Sequence, residues 1–225
     1  MNFYTNVLQY GNSILVREVR DGERTTRRVK YEPTLFDLVK TREETGYKTL
    51  DGKSVKPHHF DSIKEAKAWV ADRENQDIIY GNTQYPYCWI ADEYPDRVDW
   101  DLSQMLMVTI DIEVECENGF PKPEDAAEPL LSITVKNHQT KRIVVWGIGE
   151  FVSDREDVTY VQCESEVHLL KEFLIFWERH TPDIVTGWNT EFFDIPYLVN
   201  RIRNVFDEEE VKRLSPWKNV FSREV

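Results

Sequence analysis

Cysteine is scarce in this chain of 225 residues. Its three cysteines, Cys88, Cys116 and Cys163, are an odd number without the paired spacing of a zinc or redox motif. That excludes a disulfide scaffold and suits a reducing cytosol. Long apolar runs are missing: none approaches the roughly 20 residues that a membrane-spanning helix needs, so no membrane role is expected. The first residues, MNFYTNVLQYGNS, hold no basic segment followed by an apolar core, and no signal peptide is expected. Internal repeats and low-complexity tracts are absent. Positive charge is short as well, with a net charge of −13. Residues 1–100 carry 15 basic and 17 acidic groups, a net of −2; residues 101–225 carry 13 and 24, a net of −11. Bulk charge therefore gives no footprint of a nucleic-acid binder, although a site that gathers metal ions tolerates local acidity. The one basic concentration is REVRDGERTTRRVK, with Arg17, Arg20, Arg24, Arg27, Arg28 and Lys30 against three acids. It reads as a solvated hairpin surface or, alternatively, as a phosphate-contacting edge.

What is present allows one large or two small domains. Ser13–Val19 and Thr25–Tyr31 alternate apolar and polar residues around Asp21-Gly22, the pattern of a β-hairpin. Asp51-Gly52 marks a second turn. Asp61 or Ser62 can cap a helix to about Arg73, with Ile63, Ala66 and Val70 along one side. Aromatic and turn residues crowd Tyr80 to Trp100, a packed connection, and the domain boundary is expected near 100–106.

The second half predicts strands over about 106–115, Leu131–Lys136 and Arg142–Trp146, followed by the acidic loop GEFVSDREDV. Ser165 opens a helix to about His180, with Val167, Leu170, Phe173, Leu174 and Trp177 at helical spacing. TPDIVTGW gives a short apolar strand, and Asp194 begins another helix with Pro196 in its first turn. The order β-β-β-α-β-α makes a mixed sheet flanked by helices, its fourth strand beside the first. The class is α/β, preceded by a small α+β domain.

Within the strand MVTIDIEV, Met107–Val114, Asp111 and Glu113 point the same way, because side chains alternate with period two. Two like charges on a half-buried face repel each other, and a divalent cation would offset that cost. With the fourth strand beside the first, Asn189–Asp194 emerges next to the two acids. Asp194 could then join them. Three carboxylates without His or Cys are hard oxygen ligands that suit Mg²⁺ or Mn²⁺ rather than zinc. Two such ions, roughly 3.5–4 Å apart, can activate water and stabilise a leaving oxygen in phosphodiester hydrolysis. Simpler readings stand beside this one. Asp111 and Glu113 could be an edge-strand solubility device, Asp194 a helix cap and Phe120 a packing aromatic. Trp188 reads as core, Asp183 and Glu191 as solvent-facing, and His138, His168 and His180 as surface or helix-face residues.

The residues just quoted resemble a known family. DIE at 111–113 is similar to the first exonuclease motif of family B (Pol-α-like) DNA polymerases, and Asn189-Thr-Glu-Phe-Phe-Asp194 to the second. GFPKP at 119–123 and TGWNTEFFDIPYLVNRI at 186–202 resemble the T-even-type phage branch. The resemblance extends over essentially the whole chain. It implies an RNase H-like 3′–5′ proofreading exonuclease, partial over 106–225, behind an amino-terminal polymerase domain, 1–105. Asp111, Glu113 and Asp194 would hold two Mg²⁺ or Mn²⁺ ions, and Asn189 would orient the site. Phe120 would stack on the terminal base of a single-stranded primer 3′ end, and Phe193 would support its loop. The resemblance also allows RNA binding by the amino-terminal domain, and it places the protein in the cytoplasm of an infected bacterium.

Two expected parts are missing. The family's third motif is Tyr, three residues, Asp; here Tyr197 is followed four residues on by Arg201, and the only later Asp is Asp207. Nor is there a palm-type acidic cluster or a basic fingers helix. The expectation is the front part of a longer polymerase, either truncated or one product of a split gene, and inactive or very weak alone. A rival expectation is a non-catalytic half that docks onto a separate carboxy-terminal polypeptide or contacts template or RNA.

Overall fold

The computed structural model describes residues 2–39, 45–72, 79–117 and 119–221. The chain divides into two compact units, Met1–Trp100 and Asp101–Val225. Among the described residues no helix is long and apolar enough to cross a membrane.

In the first unit, β1 (Phe3–Tyr10), β2 (Ser13–Arg20) and β3 (Glu23–Lys30) form an antiparallel sheet. The β2–β3 turn places both Asp21 and Gly22 at positive φ, which matches the right-handed twist of the flanking strands. A second sheet combines β4 (Thr34–Leu38), β5 (Tyr47–Lys48), β6 (Ser54–His59) and β7 (Ile79–Tyr80) in the order β5-β6-β4-β7. Helix α1 (Ile63–Ala71) starts where Ser62 Oγ accepts the Glu65 N–H, and its Ile63 and Ala66 enter the core. The expected end near Arg73 lies outside the described residues. The aromatic connection folds in part as a helix, α2 (Tyr85–Glu93), which the sequence reading missed; Tyr85 and Trp89 are its buried anchors.

The basic hairpin is not simply a solvated surface. Glu18 on β2 is 0% exposed. It accepts from Arg20 Nε at 2.9 Å, Arg27 Nε at 2.5 Å and the Tyr94 hydroxyl at 3.0 Å. Arg20 and Arg27 also bond Glu93. Burial alone would push the Glu18 carboxyl up, but the bonds from Arg27, Tyr94 and Arg20 outweigh it and hold the group below the usual carboxylate value.

In the second unit the sheet order is β11-β10-β9-β8-β12. Strands β8 (Met107–Val114), β9 (Leu130–Asn137) and β10 (Ile143–Ile148) run antiparallel. An additional edge strand, β11 (Val158–Cys163), lies parallel to β10 just after the acidic loop; the sequence reading did not separate it from that loop. Helix α3 (Glu166–His180) buries Leu169, Leu170, Phe173, Leu174 and Trp177, whereas Val167 is exposed. Its cap is Ser165, whose hydroxyl accepts the His168 N–H at 3.3 Å. Ser165→Ala is expected to lower stability by about 1 kcal/mol in urea denaturation. Strand β12 (Ile184–Thr186) returns parallel to β8, and α4 (Asp194–Val205) and α5 (Glu208–Val211) follow. Together these make the mixed sheet with flanking helices that the sequence pattern predicts.

Candidate functional site

Along β8, Val108, Ile110 and Ile112 turn into the core, while Asp111 and Glu113 between them are exposed on the opposite face. A shift in the pairing with β9 falls between Glu113 and Val114, so the strand is bulged just beyond the second acid. β12 pairs with β8 only as far as Thr186 opposite Thr109, two residues short of Asp111. The chain then leaves the sheet, forms the loop 187–193 and starts α4 at Asp194.

That crossing brings Asp194 to the middle of β8. Its side chain is buried, at 5% exposure, and Oδ1 accepts the Ile112 backbone N–H at 3.2 Å. This amide lies in the chain between Asp111 and Glu113. Burial pushes the Asp194 carboxyl above the usual range; the Ile112 bond opposes the shift and the charge of Asp111 adds to it. The charge of Asp111 therefore reaches Asp194, a residue 83 positions later in the sequence. The start of α4 favours a negative group there through the helix dipole. A hard cation is the counter-charge that such a pair of carboxylates suits. Among the described residues, no group of three His, Cys, Asp or Glu side chains is gathered closely enough to hold a metal ion.

Asn189 sits at the turn. Its carbonyl accepts the N–H groups of Phe192 and Phe193, and the Thr190 carbonyl accepts that of Ile195, which ties the loop to the first turn of α4. Phe193 is half-buried. Its ring centroid lies 5.5 Å from Phe120 and 5.6 Å from Tyr197, so the three rings form a row. Phe120 is 83% exposed, an open aromatic face rather than a core residue.

Several sequence readings need correction. Trp188 is not core but fully exposed, because it stands on the loop just after β12 leaves the sheet. Asp183 does not simply face solvent: it is half-buried, and its carboxylate accepts the Leu106 N–H at 2.8 Å. Tyr197 and Arg201, which have the spacing of the missing motif, serve packing. The Tyr197 hydroxyl donates to the Glu128 carbonyl, Asn200 to that of Pro123, Arg201 to those of Ala126 and Ala127, and Asn204 to that of Asp125. One face of α4 thus clamps the loop that begins with Phe120. Polar residues at helical spacing were the visible signal; their targets, some 70 residues earlier, were not.

The family model for the exonuclease domain of DNA polymerase family B matches residues 87–225. The chain is 32% identical to the DNA-directed DNA polymerase of Escherichia phage RB69, over 95% of this chain and 27% of that protein. It is 30% identical to the DNA-directed DNA polymerase of Enterobacteria phage T4, over 98% of this chain and 27% of that protein. The DNA polymerase catalytic subunit of Alcelaphine herpesvirus 1 is 27% identical over 58% of this chain and 12% of that protein. The chain thus spans about a quarter of the length of the two phage relatives.

Proposed function

Because the chain belongs to DNA polymerase family B, through its exonuclease domain, we propose that it is the amino-terminal part of a T-even-like phage DNA polymerase. Residues 1–105 are the amino-terminal domain, and 106–225 begin a 3′–5′ proofreading exonuclease that acts on a single-stranded primer end. The observation that supports the reading is the bond from the Ile112 N–H to Asp194, together with the action of the Asp111 charge on that carboxyl.

In this reading Asp111, Glu113 and Asp194 would hold the divalent ions once drawn closer together than they stand here, since no three such side chains are gathered among the described residues. Bound Mg²⁺ or Mn²⁺ would supply an activated water and stabilise the leaving oxygen of the terminal phosphodiester. Phe120 offers its open ring to the last base, and Phe193 backs that ring. Asn189 holds the loop that orients Asp194. The family's Tyr-x-x-x-Asp is absent from residues 195–225, so purified 1–225 is expected to digest single-stranded DNA weakly or not at all in Mg²⁺. Addition of a phage polymerase polypeptide that carries that motif is expected to produce Mg²⁺-dependent digestion, lost in Asp111→Ala. Strong digestion by 1–225 alone, itself lost in Asp111→Ala, would contradict the incompleteness. No digestion by the mixture would contradict the site.

A second reading, a half-protein that docks onto a separately supplied remainder, draws on one observation. Trp188, Phe192 and Phe221 stand exposed along a groove beside β12 and α4 that Ile195 and Val199 also line. Such an apolar stretch beside an edge strand suits a partner segment. Size-exclusion of 1–225 mixed with a carboxy-terminal polypeptide tests it: co-elution is expected, and separate peaks would reject it. Contact with template or RNA through the basic hairpin draws less support, since Arg20 and Arg27 are engaged by Glu18 and Glu93.

A further inference from the structure

We propose that Gly187 and Thr190 are positioning residues that set the third carboxylate, by fixing where the chain crosses β8 on its way to α4. The inference deepens the reading of the site given above, and its main test does not depend on that reading.

The last rung of the β12–β8 pairing is Thr186 opposite Thr109. The next residue, Gly187, passes over the Ile110 carbonyl so closely that a Cβ built on it would lie 2.7 Å from that oxygen. The same Cβ would fall 1.9 Å from Thr190 Oγ1 and 3.3 Å from Thr190 Cβ. A Cβ there would force Thr190 and the Ile110 carbonyl to give way, and the backbone conformation of Gly187 is not itself the reason, since its φ lies outside the left-handed region. Thr190 closes this contact from above. Its Oγ1 is buried against Gly187 without a hydrogen-bond partner, a polar atom retained at a cost. Its carbonyl takes the Ile195 N–H at 3.0 Å, inside the first turn of α4.

These contacts form a chain of constraint. Ile110 fixes Gly187, Gly187 fixes Thr190, Thr190 fixes the start of α4, and the start of α4 presents Asp194 to Ile112, two residues along from Ile110. The tolerance is small, because the Asp194 to Ile112 bond is already 3.2 Å long. A loop pushed outward by the overlap at Gly187 loses that bond.

The Ile112 amide is therefore a local reporter, since it donates to Asp194. In the full chain, Gly187→Ala is expected to speed hydrogen exchange of the Ile112 amide by at least about tenfold, with the amides of β9 and β10 unchanged. Adding Thr190→Ala removes the nearest overlap and is expected to restore part of the protection, while the Ile110 carbonyl keeps it short of wild type. A uniform loss of protection across the sheet would mark a merely structural role and overturn the proposal. So would unchanged exchange at Ile112 in a folded Gly187→Ala protein. Should Gly187→Ala alone not fold, the double variant decides: faster exchange confined to Ile112 supports the proposal and wild-type exchange rejects it. Calorimetry with Mn²⁺ adds a second arm, in which Gly187→Ala weakens binding by about tenfold or more. Absence of Mn²⁺ binding by the wild-type chain would reject the metal reading of the site and leave the Ile112 result to decide the positioning.

Discussion

Asp194→Asn is expected to weaken Mn²⁺ binding by more than about 100-fold, beyond the loss typical of a group that only supports a ligand, while leaving the fold at least as stable at neutral pH. The two halves of this expectation have one cause. Asp194 is buried beside Asp111, and burial followed by that charge raises its pKa in the folded chain. Below the ordinary carboxylate pKa, folded and unfolded chains are both protonated at this position, and its contribution to stability is complete. As pH rises past that value the unfolded chain ionises first, so folding loses stability until the raised folded value is passed. Asparagine does not titrate and suffers no such loss. Its Oδ1 still accepts the Ile112 N–H, and its amide nitrogen lies in the field of Asp111. Urea midpoints should therefore favour the variant at pH 7 and converge near about pH 3, while calorimetry shows the lost ion binding. Wild-type Mn²⁺ affinity in Asp194→Asn would remove this residue from the proposed ligand set.

The geometry that makes this prediction possible was legible only in part. Period-two alternation placed Asp111 and Glu113 on one face, because the residues between them are aliphatic and must go inward. The return of β12 beside β8 followed from the rule that a helix connects parallel strands. Elements with weaker local signals escaped. β11 is an edge strand with one fully buried residue, Cys163, and lies directly after a charged loop that masks its start. β1 carries polar residues on a two-sided surface, and α2 is rich in aromatics with poor intrinsic helix propensity. Contacts across long stretches of sequence escaped altogether. Glu18 lies in a stretch that reads as a solvated hairpin surface, and only Tyr94, 76 residues later, together with Arg20 and Arg27, makes its burial tolerable. Trp188 shows the opposite failure: composition says core, yet β12 ends at Thr186, two residues before it, and the side chain is left fully exposed.

The clamp between α4 and the loop after Phe120 should be the most expensive interaction to break. Arg201 donates Nε and Nη2 to the two carboxylate oxygens of Glu166, each at 2.7 Å, in a bidentate pair that is 14% and 13% exposed. Its Nη1 donates to the Ala126 carbonyl at 3.1 Å and to the Ala127 carbonyl at 2.7 Å. Glu166 also accepts the Leu130 N–H, which joins the start of α3 to the start of β9. The Glu166 bonds raise the Arg201 pKa against the effect of burial, so the guanidinium stays charged at every accessible pH. Arg201→Met would keep the aliphatic volume but leave the largely covered Glu166 carboxylate without its guanidinium, and the Ala126 and Ala127 carbonyls without that donor. The expected cost is about 3–5 kcal/mol in urea denaturation, the range for breaking one partner of a buried pair. Adding Glu166→Gln removes the uncompensated charge, and the double variant should recover roughly half of the loss. Since Arg201 makes none of these bonds to Asp111, Glu113 or Asp194, Mn²⁺ affinity of the folded single variant should stay within about twofold of wild type, as for a distant, independent site. Binding of a single-stranded oligonucleotide should weaken, because the freed loop no longer holds Phe120 against Phe193. A loss below about 1 kcal/mol, the value of an exposed pair, would show that Arg201 and Glu166 do not hold this loop. Equal weakening of Mn²⁺ and oligonucleotide binding would show that the clamp and the carboxylates move as one body.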